Sequence, residues 1–282
     1  MTIRLAALLS ASAAVLAAVS APALAEAASV EIKDAVARVT VIPEDRRDVR
    51  VEIARPSSSL PLSVRTLGGQ TVVDGDLGRR IRGCRGSGQS SQVNVQGVGA
   101  VRWSQIPEVV IRTPRHVDVT ASGAVYGAVG RSAGLKLANA GCGDWTVANV
   151  EGDAAISQAG SGGARMGSSG TLKVRVAGSG DLAAADVRGG LDVTIAGSGS
   201  AAVRSVSGPL DVNIAGSGDV DIGGGRVTAM KVSIAGSGDV AFDGSAETLR
   251  ARIAGSGDVF AAEVKGEVTK TVLGSGSVRV GR

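Results

Sequence analysis

The sequence predicts an all-β protein: a right-handed parallel β-helix, or β-solenoid, with about 19 residues per coil, preceded by an N-terminal β-strand region. Three observations predict it: a glycine phrase that returns at a nearly fixed interval, strand signals with a period of two, and no stretch with a helical period. The phrase reads Ala-Gly-Ser-Gly-Asp or a close variant. The first glycines of its copies are Gly141, Gly160, Gly178, Gly197, Gly216, Gly236, Gly255 and Gly274.

The composition agrees with a narrow solenoid. Hydrophobic residues make up 44% of the chain but aromatic residues only 2%, so the interior must consist of thin layers of Val, Ile, Leu and Ala. The 42 glycines would otherwise suggest disorder, but their periodic placement indicates turn positions.

Residues 1–25 are predicted to be a secretory signal peptide. Arg4 provides a short positive start, residues 5–19 are apolar, and residues 23–25 read Ala-Leu-Ala, a small-residue cleavage site. The alternative, a membrane anchor, is disfavoured because the apolar run is too short to span a bilayer. No later stretch is apolar enough for a transmembrane helix. We therefore expect an exported protein in the periplasm, the cell envelope or the extracellular space.

Residues 26–115 form the predicted N-terminal β-strand region. Within it, residues 75–92 are a polar, glycine-rich excursion that carries Cys84 and four arginines. We interpret these arginines as a solvated loop rather than a surface for an anionic envelope. The predicted strands are residues 36–41, 49–53, 62–65, 70–73, 93–95 and 109–111.

Residues 116–282 form the predicted glycine-rich solenoid repeats. In each repeat an alternating strand precedes the glycine turn; Leu191, Val193 and Ile195 should point inward, and Asp192 and Thr194 outward. Successive coils should pair as parallel strands about 4.8 Å apart. A shorter strand follows each turn, and then a third apolar column formed by Val150, Val187, Val206 and Val264.

The glycine turn has a physical reason. The chain must reverse within very few residues, which requires positive φ, and stacked turns bring backbones close together, where a Cβ would clash. An aspartate after the second glycine can accept hydrogen bonds from turn amides. The predicted turn residues are Gly178, Gly180, Asp181, Gly197, Gly199, Gly216, Gly218, Asp219, Gly236, Gly238, Asp239, Gly255, Gly257 and Asp258.

The phrase Val-x-Ile-Ala-Gly-Ser-Gly-Asp-Val resembles the repeat of the auto-transporter adhesin head, GIN domain family, a bacterial domain of unknown function. Residues 120–124, Thr-Ala-Ser-Gly-Ala, resemble that family's entry into its glycine repeats. The resemblance covers residues 35–282 and is strongest over 117–276. Family members more often have Ser before the first glycine, where this chain has Ala. The resemblance implies a right-handed parallel β-helix and an adhesin role, with no defined catalytic residues.

Cys84 and Cys142 are predicted to form a disulfide. An even cysteine count in an exported protein suggests a bridge, and both residues lie in glycine-rich contexts. The alternative is two buried free thiols. A zinc site is disfavoured because there is no second cysteine pair.

The sequence does not favour a metal site or a cofactor site. The column Asp144, Asp181, Asp219, Asp239 and Asp258 could bind calcium, but its spacing differs from the calcium-binding nonapeptide and serines interrupt it, so turn capping is favoured. We expect no metal and no cofactor.

Single residues of catalytic type are also weak candidates. His116 is the only histidine, so no Ser-His-Asp arrangement is supported, and Ser179 repeats too regularly for a nucleophile. Trp103 and Trp145 have two possible roles. They either belong to the core or a cap of the solenoid, or offer an aromatic surface on which a sugar stacks.

We therefore expect an exported non-enzymatic protein of the cell envelope or surface, adhesin-like or structural. The alternative is a carbohydrate-binding or polysaccharide-active β-helix protein. The partner is unknown; an envelope or surface polysaccharide or protein is the candidate. A nucleic-acid partner is disfavoured by export, near-neutral repeats and few aromatic residues.

One irregularity of the inward column gives a sharper expectation. Two residues before the first glycine, most coils carry Val or Ile, but two early coils carry Asn139 and Gln158. In register, these amides should stack inside the solenoid and hydrogen-bond to each other as a short ladder. The alternative is a local bulge that turns both to solvent.

Overall fold

A computed structural model describes residues 28–86 and 88–281. It confirms the predicted class: 69% of the described residues are in strands, and the repeats form a β-solenoid of about nine turns with ~19 residues per coil. The described residues contain no α-helix, only three short 3-10 turns, and therefore no helix able to cross a membrane. The predicted signal peptide, residues 1–25, lies outside the described residues.

The N-terminal region contributes eight strands. They are β1 (Ser29–Glu44), β2 (Arg50–Arg55), β3 (Ser63–Leu67), β4 (Gln70–Asp74), β5 (Ile81–Arg85), β6 (Gln92–Val95), β7 (Gly99–Arg102) and β8 (Glu108–Pro114).

The repeats contribute sixteen more. They are β9 (His116–Val129), β10 (Gly134–Gly141), β11 (Trp145–Val147), β12 (Ala154–Gly160), β13 (Ala164–Met166), β14 (Leu172–Gly178), β15 (Leu182–Val187), β16 (Leu191–Gly197), β17 (Ser200–Gly216), β18 (Asp219–Ile222), β19 (Gly225–Gly236), β20 (Val240–Ala246), β21 (Leu249–Gly255), β22 (Asp258–Val264), β23 (Val268–Gly274) and β24 (Ser277–Val280).

The coils have three faces, and on each the strands of successive coils pair in parallel. The first face precedes the glycine turn and keeps a one-to-one register, with Gly178 opposite Gly197 and Gly197 opposite Gly216. The second face follows the turn, and the short third face includes the pairing of Val206 with Gly225. The parallel stacking predicted from the period is thus confirmed, whereas the right-handed winding stays a prediction.

The N-terminal region joins the solenoid directly. β1 pairs in parallel with β9, from Val30 opposite Val119 to Val41 opposite Val129, and also with β4 and β8. β2 and β3 add to this end as antiparallel neighbours of β8 and β4. The sheet is therefore continuous from the N-terminal region into the repeats.

The lumen is mostly aliphatic, as predicted. Leu191, Val193 and Ile195 are all buried, while Asp192 and Thr194 are partly exposed, which confirms the inward register. The bulkiest buried side chain is Trp145, which pairs with Gly127. A Cβ on Gly127 would lie 2.2 Å from Cε3 of the indole, so the missing side chain makes room for the ring.

A small antiparallel sheet covers part of the second face. It consists of β5, β6 and β7, and we call residues 75–86 and 88–107 the side sheet. The polar excursion predicted at residues 75–92 therefore contains an unpredicted strand, β5. A second apolar cluster forms under it, because outward residues of β1 and β9 are covered. Its buried members are Val36, Leu60, Leu77, Val93, Val95, Val101, Ile106, Ala124 and Tyr126.

Candidate functional site

The disulfide between Cys84 and Cys142 is confirmed, with the two Cα atoms 5.9 Å apart. It joins β5 of the side sheet to the glycine turn that follows β10. The bond spans 58 residues of sequence, so closing this loop removes about 4 kcal/mol of unfolded-state entropy by the chain-entropy argument. It therefore holds the side sheet against the solenoid wall.

A cleft of about 630 Å³ lies beside the side sheet on the second face. Its floor is the outward surface of five strands that lie side by side, and we call each of them a rung. In order they are β8, β1, β9, β11 extended by Asp144, and β13. Two outward columns cross these rungs. The first is Glu108, Arg38, Tyr126 and Asp144, and the second is Val110, Thr40, Ala128, Thr146 and Arg165. Trp103 and Gly88 of the side sheet form the wall.

Charged and aromatic groups meet at one end of the cleft. The Arg38 guanidinium donates to Glu108 Oε1 and lies 5.0 Å from the centre of the Trp103 ring, a cation–π distance. Trp103 packs edge-on against Tyr126, with ring centres 5.2 Å apart. Arg55 Nη2 is 3.5 Å from the same Glu108 oxygen. Glu108 is thus held between two guanidinium groups.

Tyr126 stays protonated at neutral pH. Burial raises the pKa of its hydroxyl, and the Asp144 carboxylate raises it further. A phenol in this state is a hydrogen-bonding group and not a base.

The other end of the cleft carries a cation without a partner. Arg165 is exposed, and no ion pair or hydrogen bond engages its side chain within residues 28–86 and 88–281. Arg38 Nε is buried and also lacks a hydrogen-bond partner among the residues described. The floor holds two arginines and two carboxylates, so its formal charge is balanced.

At the glycine turns the two glycines serve different purposes. The first has positive φ, for example +134° at Gly216, as predicted for a reversal. The second does not, but a Cβ on Gly218 would lie 2.3 Å from the Gly199 carbonyl oxygen and 2.7 Å from Ile195 Cγ2. Close stacking of coils therefore excludes a side chain there. The same pattern holds at Gly178 with Gly180, Gly197 with Gly199, Gly236 with Gly238, and Gly255 with Gly257.

The aspartates of the turns accept hydrogen bonds from turn amides, as predicted. The amide belongs in each case to the turn of the next coil, which the sequence did not indicate. Asp219 Oδ1 accepts from Asp239 N at 2.9 Å, and Asp258 Oδ1 accepts from Ser277 N and Oγ, both at 2.8 Å. Asp144 and Asp181 bond in the same way to Gly163 N and Ser200 N.

The aspartate column shows no converging metal-ligand set. Within the described part of the chain, no group of three or more His, Cys, Asp or Glu residues lies close enough to hold a metal ion. The Ser277 hydroxyl and amide lower the pKa of Asp258, which agrees with its role as an acceptor. These carboxylates act between coils.

The two interior amides are buried and in register, with Asn139 opposite Gln158. The predicted bond between them is absent: Asn139 Nδ2 donates to Gly143 O at 2.8 Å, and Gln158 Nε2 donates to Gly162 O at 3.0 Å. Their side-chain oxygens, Oδ1 and Oε1, have no partner among the described residues. The inward register is confirmed and the amide ladder is wrong, because each amide reaches its own turn first.

The remaining residues of catalytic type do not join the cleft. His116 is exposed on the first face, Ser179 lies in a turn, and Trp145 is a core residue. Trp103 alone among the tryptophans lines the cleft. Sequence reasoning missed Arg38, Glu108 and Arg165, which are ordinary outward residues of three separate strands.

Comparison with known proteins bears on the repeats and on the end of the side sheet. No curated protein is similar enough to the chain to count as a match. One family model matches residues 102–225 and 207–281, which together make well over half of the chain. Its description is "Putative auto-transporter adhesin, head GIN domain". The chain therefore belongs to this auto-transporter adhesin head, GIN domain family.

Proposed function

We propose that this protein is an exported, non-enzymatic surface protein that binds a ligand with the side of its solenoid, as an adhesin does. The family description and the rigid solenoid support an adhesin-like role. A long β-solenoid offers a continuous outer wall that does not need to rearrange on binding.

The observation that carries this proposal is the disulfide-held side sheet beside the cleft. Disulfides persist in oxidising compartments, so the Cys84–Cys142 bond supports export. The same bond fixes one wall of a cleft where aromatic, cationic and acidic side chains meet. Export and binding are thus supported by one feature.

Three features support a non-enzymatic role. Glu108 is engaged by Arg38 and Arg55, and Asp144 Oδ1 accepts from Gly163 N, so both carboxylates already have structural partners. His116 lies on a different face from the cleft. The central serines of the glycine turns, such as Ser179 and Ser217, have no side-chain hydrogen bond to a carboxylate or an imidazole among the described residues.

A second candidate function is polysaccharide cleavage, favoured by the two carboxylates of the same cleft. Incubating the purified protein with envelope and plant polysaccharides separates the two candidates. The proposal expects neither unsaturated nor new reducing ends. Product formation that Glu108→Gln abolishes would support the second candidate instead.

Fractionation tests the export and surface roles. We expect the protein in the periplasmic, outer-envelope or extracellular fraction, with Cys84 and Cys142 protected from alkylation until reduced. Cells lacking it should adhere less to their natural surface, and the wild-type chain should restore adhesion. A cytoplasmic protein with two alkylatable thiols would contradict the proposal.

A further inference from the structure

We propose that the cleft beside the side sheet binds an uncharged, unbranched saccharide chain lying along the solenoid axis. This inference rests on the proposed function and names its ligand class. It depends on four properties of the cleft: its length, its balanced charge, its mixture of donors and acceptors, and its aromatic wall.

The dimensions suit an extended ligand. The floor spans five rungs, and neighbouring rungs are about 4.8 Å apart, which gives roughly 19 Å from Glu108 to Arg165. The volume of about 630 Å³ lies within the usual range for small-molecule sites. Several sugar rings in a row would cover this length.

The polar groups suit hydroxyls. Arg38 and Arg165 supply donors, Asp144 and Glu108 supply acceptors, and the hydroxyls of Thr40 and Thr146 can do either. A sugar hydroxyl both donates and accepts, so it can bond to every one of these groups. Because the formal charges cancel, the floor gives no net attraction for a polyanion such as a nucleic acid.

The wall supplies the apolar contact that a sugar also needs. Trp103, which is partly exposed, lines one side of the cleft next to Arg38. The C–H groups of a pyranose ring can pack against the exposed part of the indole, while its hydroxyls reach the floor.

A peptide suits the cleft less well. Extended peptides usually add to a free sheet edge through main-chain hydrogen bonds. Here the floor is the face of a sheet whose main-chain groups already pair between rungs, for example β1 with β8 and with β9. Deep apolar pockets for side chains are also missing from the second column of the floor, which reads Val110, Thr40, Ala128, Thr146 and Arg165.

The test is direct binding to the purified full chain. Calorimetry against neutral gluco-, manno- and N-acetylglucosamine oligosaccharides, with uronate oligosaccharides and unstructured peptides as comparison probes, needs no cells. Arg165→Ala removes the free cation and should leave stability unchanged, because the side chain is exposed and unpaired in the described structure. Arg175→Ala is the matched control, since Arg175 is also exposed but lies on the first face.

We expect a neutral oligosaccharide to bind, Arg165→Ala to weaken binding about tenfold, and Arg175→Ala to leave it unchanged. Thr146→Val, which removes one hydroxyl of the floor, should weaken binding severalfold. The inference is overturned if no neutral saccharide binds, if only uronates or peptides bind, or if the two arginine variants bind equally. Because the assay is done in solution, its failure would leave the evidence for export and adhesion untouched.

Discussion

Asp239 Oδ1 accepts the backbone N–H of Asp258 at 2.7 Å, so a side chain of one coil hydrogen-bonds to the main chain of the next. Asp239→Ala should remove this bond and lower the free energy of unfolding by about 1 kcal/mol, measured by denaturant titration. Asp239→Asn keeps an acceptor oxygen and is the control. If both variants lose the same stability, the carboxylate rather than the inter-coil bond matters.

The interior register is tested by Ile214→Asp. Ile214 is 3% exposed and stacks between Ile195 and Ile234. An unpaired charge there should cost about 3–5 kcal/mol. Asp211→Asn, on the outer surface of the same strand, keeps an acceptor for Asn213 Nδ2 and should be nearly silent. Equal melting temperatures would mean that the inward register is wrong.

Because the interior amides do not bond to each other, replacing one of them should change stability in the opposite direction to that expected from an amide ladder. Gln158 Oε1 is buried without a partner among described residues, and equivalent positions in later coils are Val or Ile. Gln158→Val should therefore raise the free energy of unfolding by about 1 kcal/mol. If the amides were mutually bonded, this single change would destabilise the protein and only a second change, Asn139→Val, would restore it. Chemical denaturation of the two single variants and the double variant decides.

Asp186 gives a pH-dependent contribution to stability. The Arg204 guanidinium and the Ser205 hydroxyl lower its pKa from 3.8 to about 2. Because the folded-state pKa lies below the unfolded one, the contribution is fully present above about pH 4 and is lost as pH falls toward 2. Asp186→Asn should remove this part of the acid dependence, with Arg204→Gln as a matched variant. Unchanged acid unfolding curves would contradict the assignment.

We expect the disulfide to stabilise the side sheet and not the lumen of the solenoid. Replacing Cys84 and Cys142 with Ser should free the side sheet while leaving the lumen packed, since the two clusters of buried residues are distinct. Limited proteolysis should then cut within residues 75–107 before the repeats. Wild-type protein under reducing conditions is the control. Equal protection of both segments would show that the side sheet is held by packing alone.

The repeats were predictable because two periods act together. A period of two assigned Ile214 to the lumen, and a period near 19 placed it above Ile195. The partner of Asp239 was less predictable, because an amide of its own turn and the amide of the next coil are equally plausible from sequence. Only the stacked geometry shows which is closer.

The cleft could not be predicted in the same way. Arg38, Tyr126 and Arg165 are outward residues of three strands that are far apart in sequence, and each is unremarkable alone. One signal was present: Tyr126 points outward on a strand in a chain with only 2% aromatic residues. An outward aromatic residue in such a chain indicates that something covers it, and here the side sheet does.

The one-to-one register of Gly197 with Gly216 has a consequence for the length of the molecule. Deleting residues 198–216 would join Gly197 to Ser217, an exchange of equivalent positions, and would remove one whole coil. Each coil contacts mainly its neighbours, so the remaining coils could close the gap. The cleft uses only rungs up to β13 and would be unaffected. The length of solenoid that follows the cleft can thus change in steps of about 4.8 Å without any change to the cleft itself.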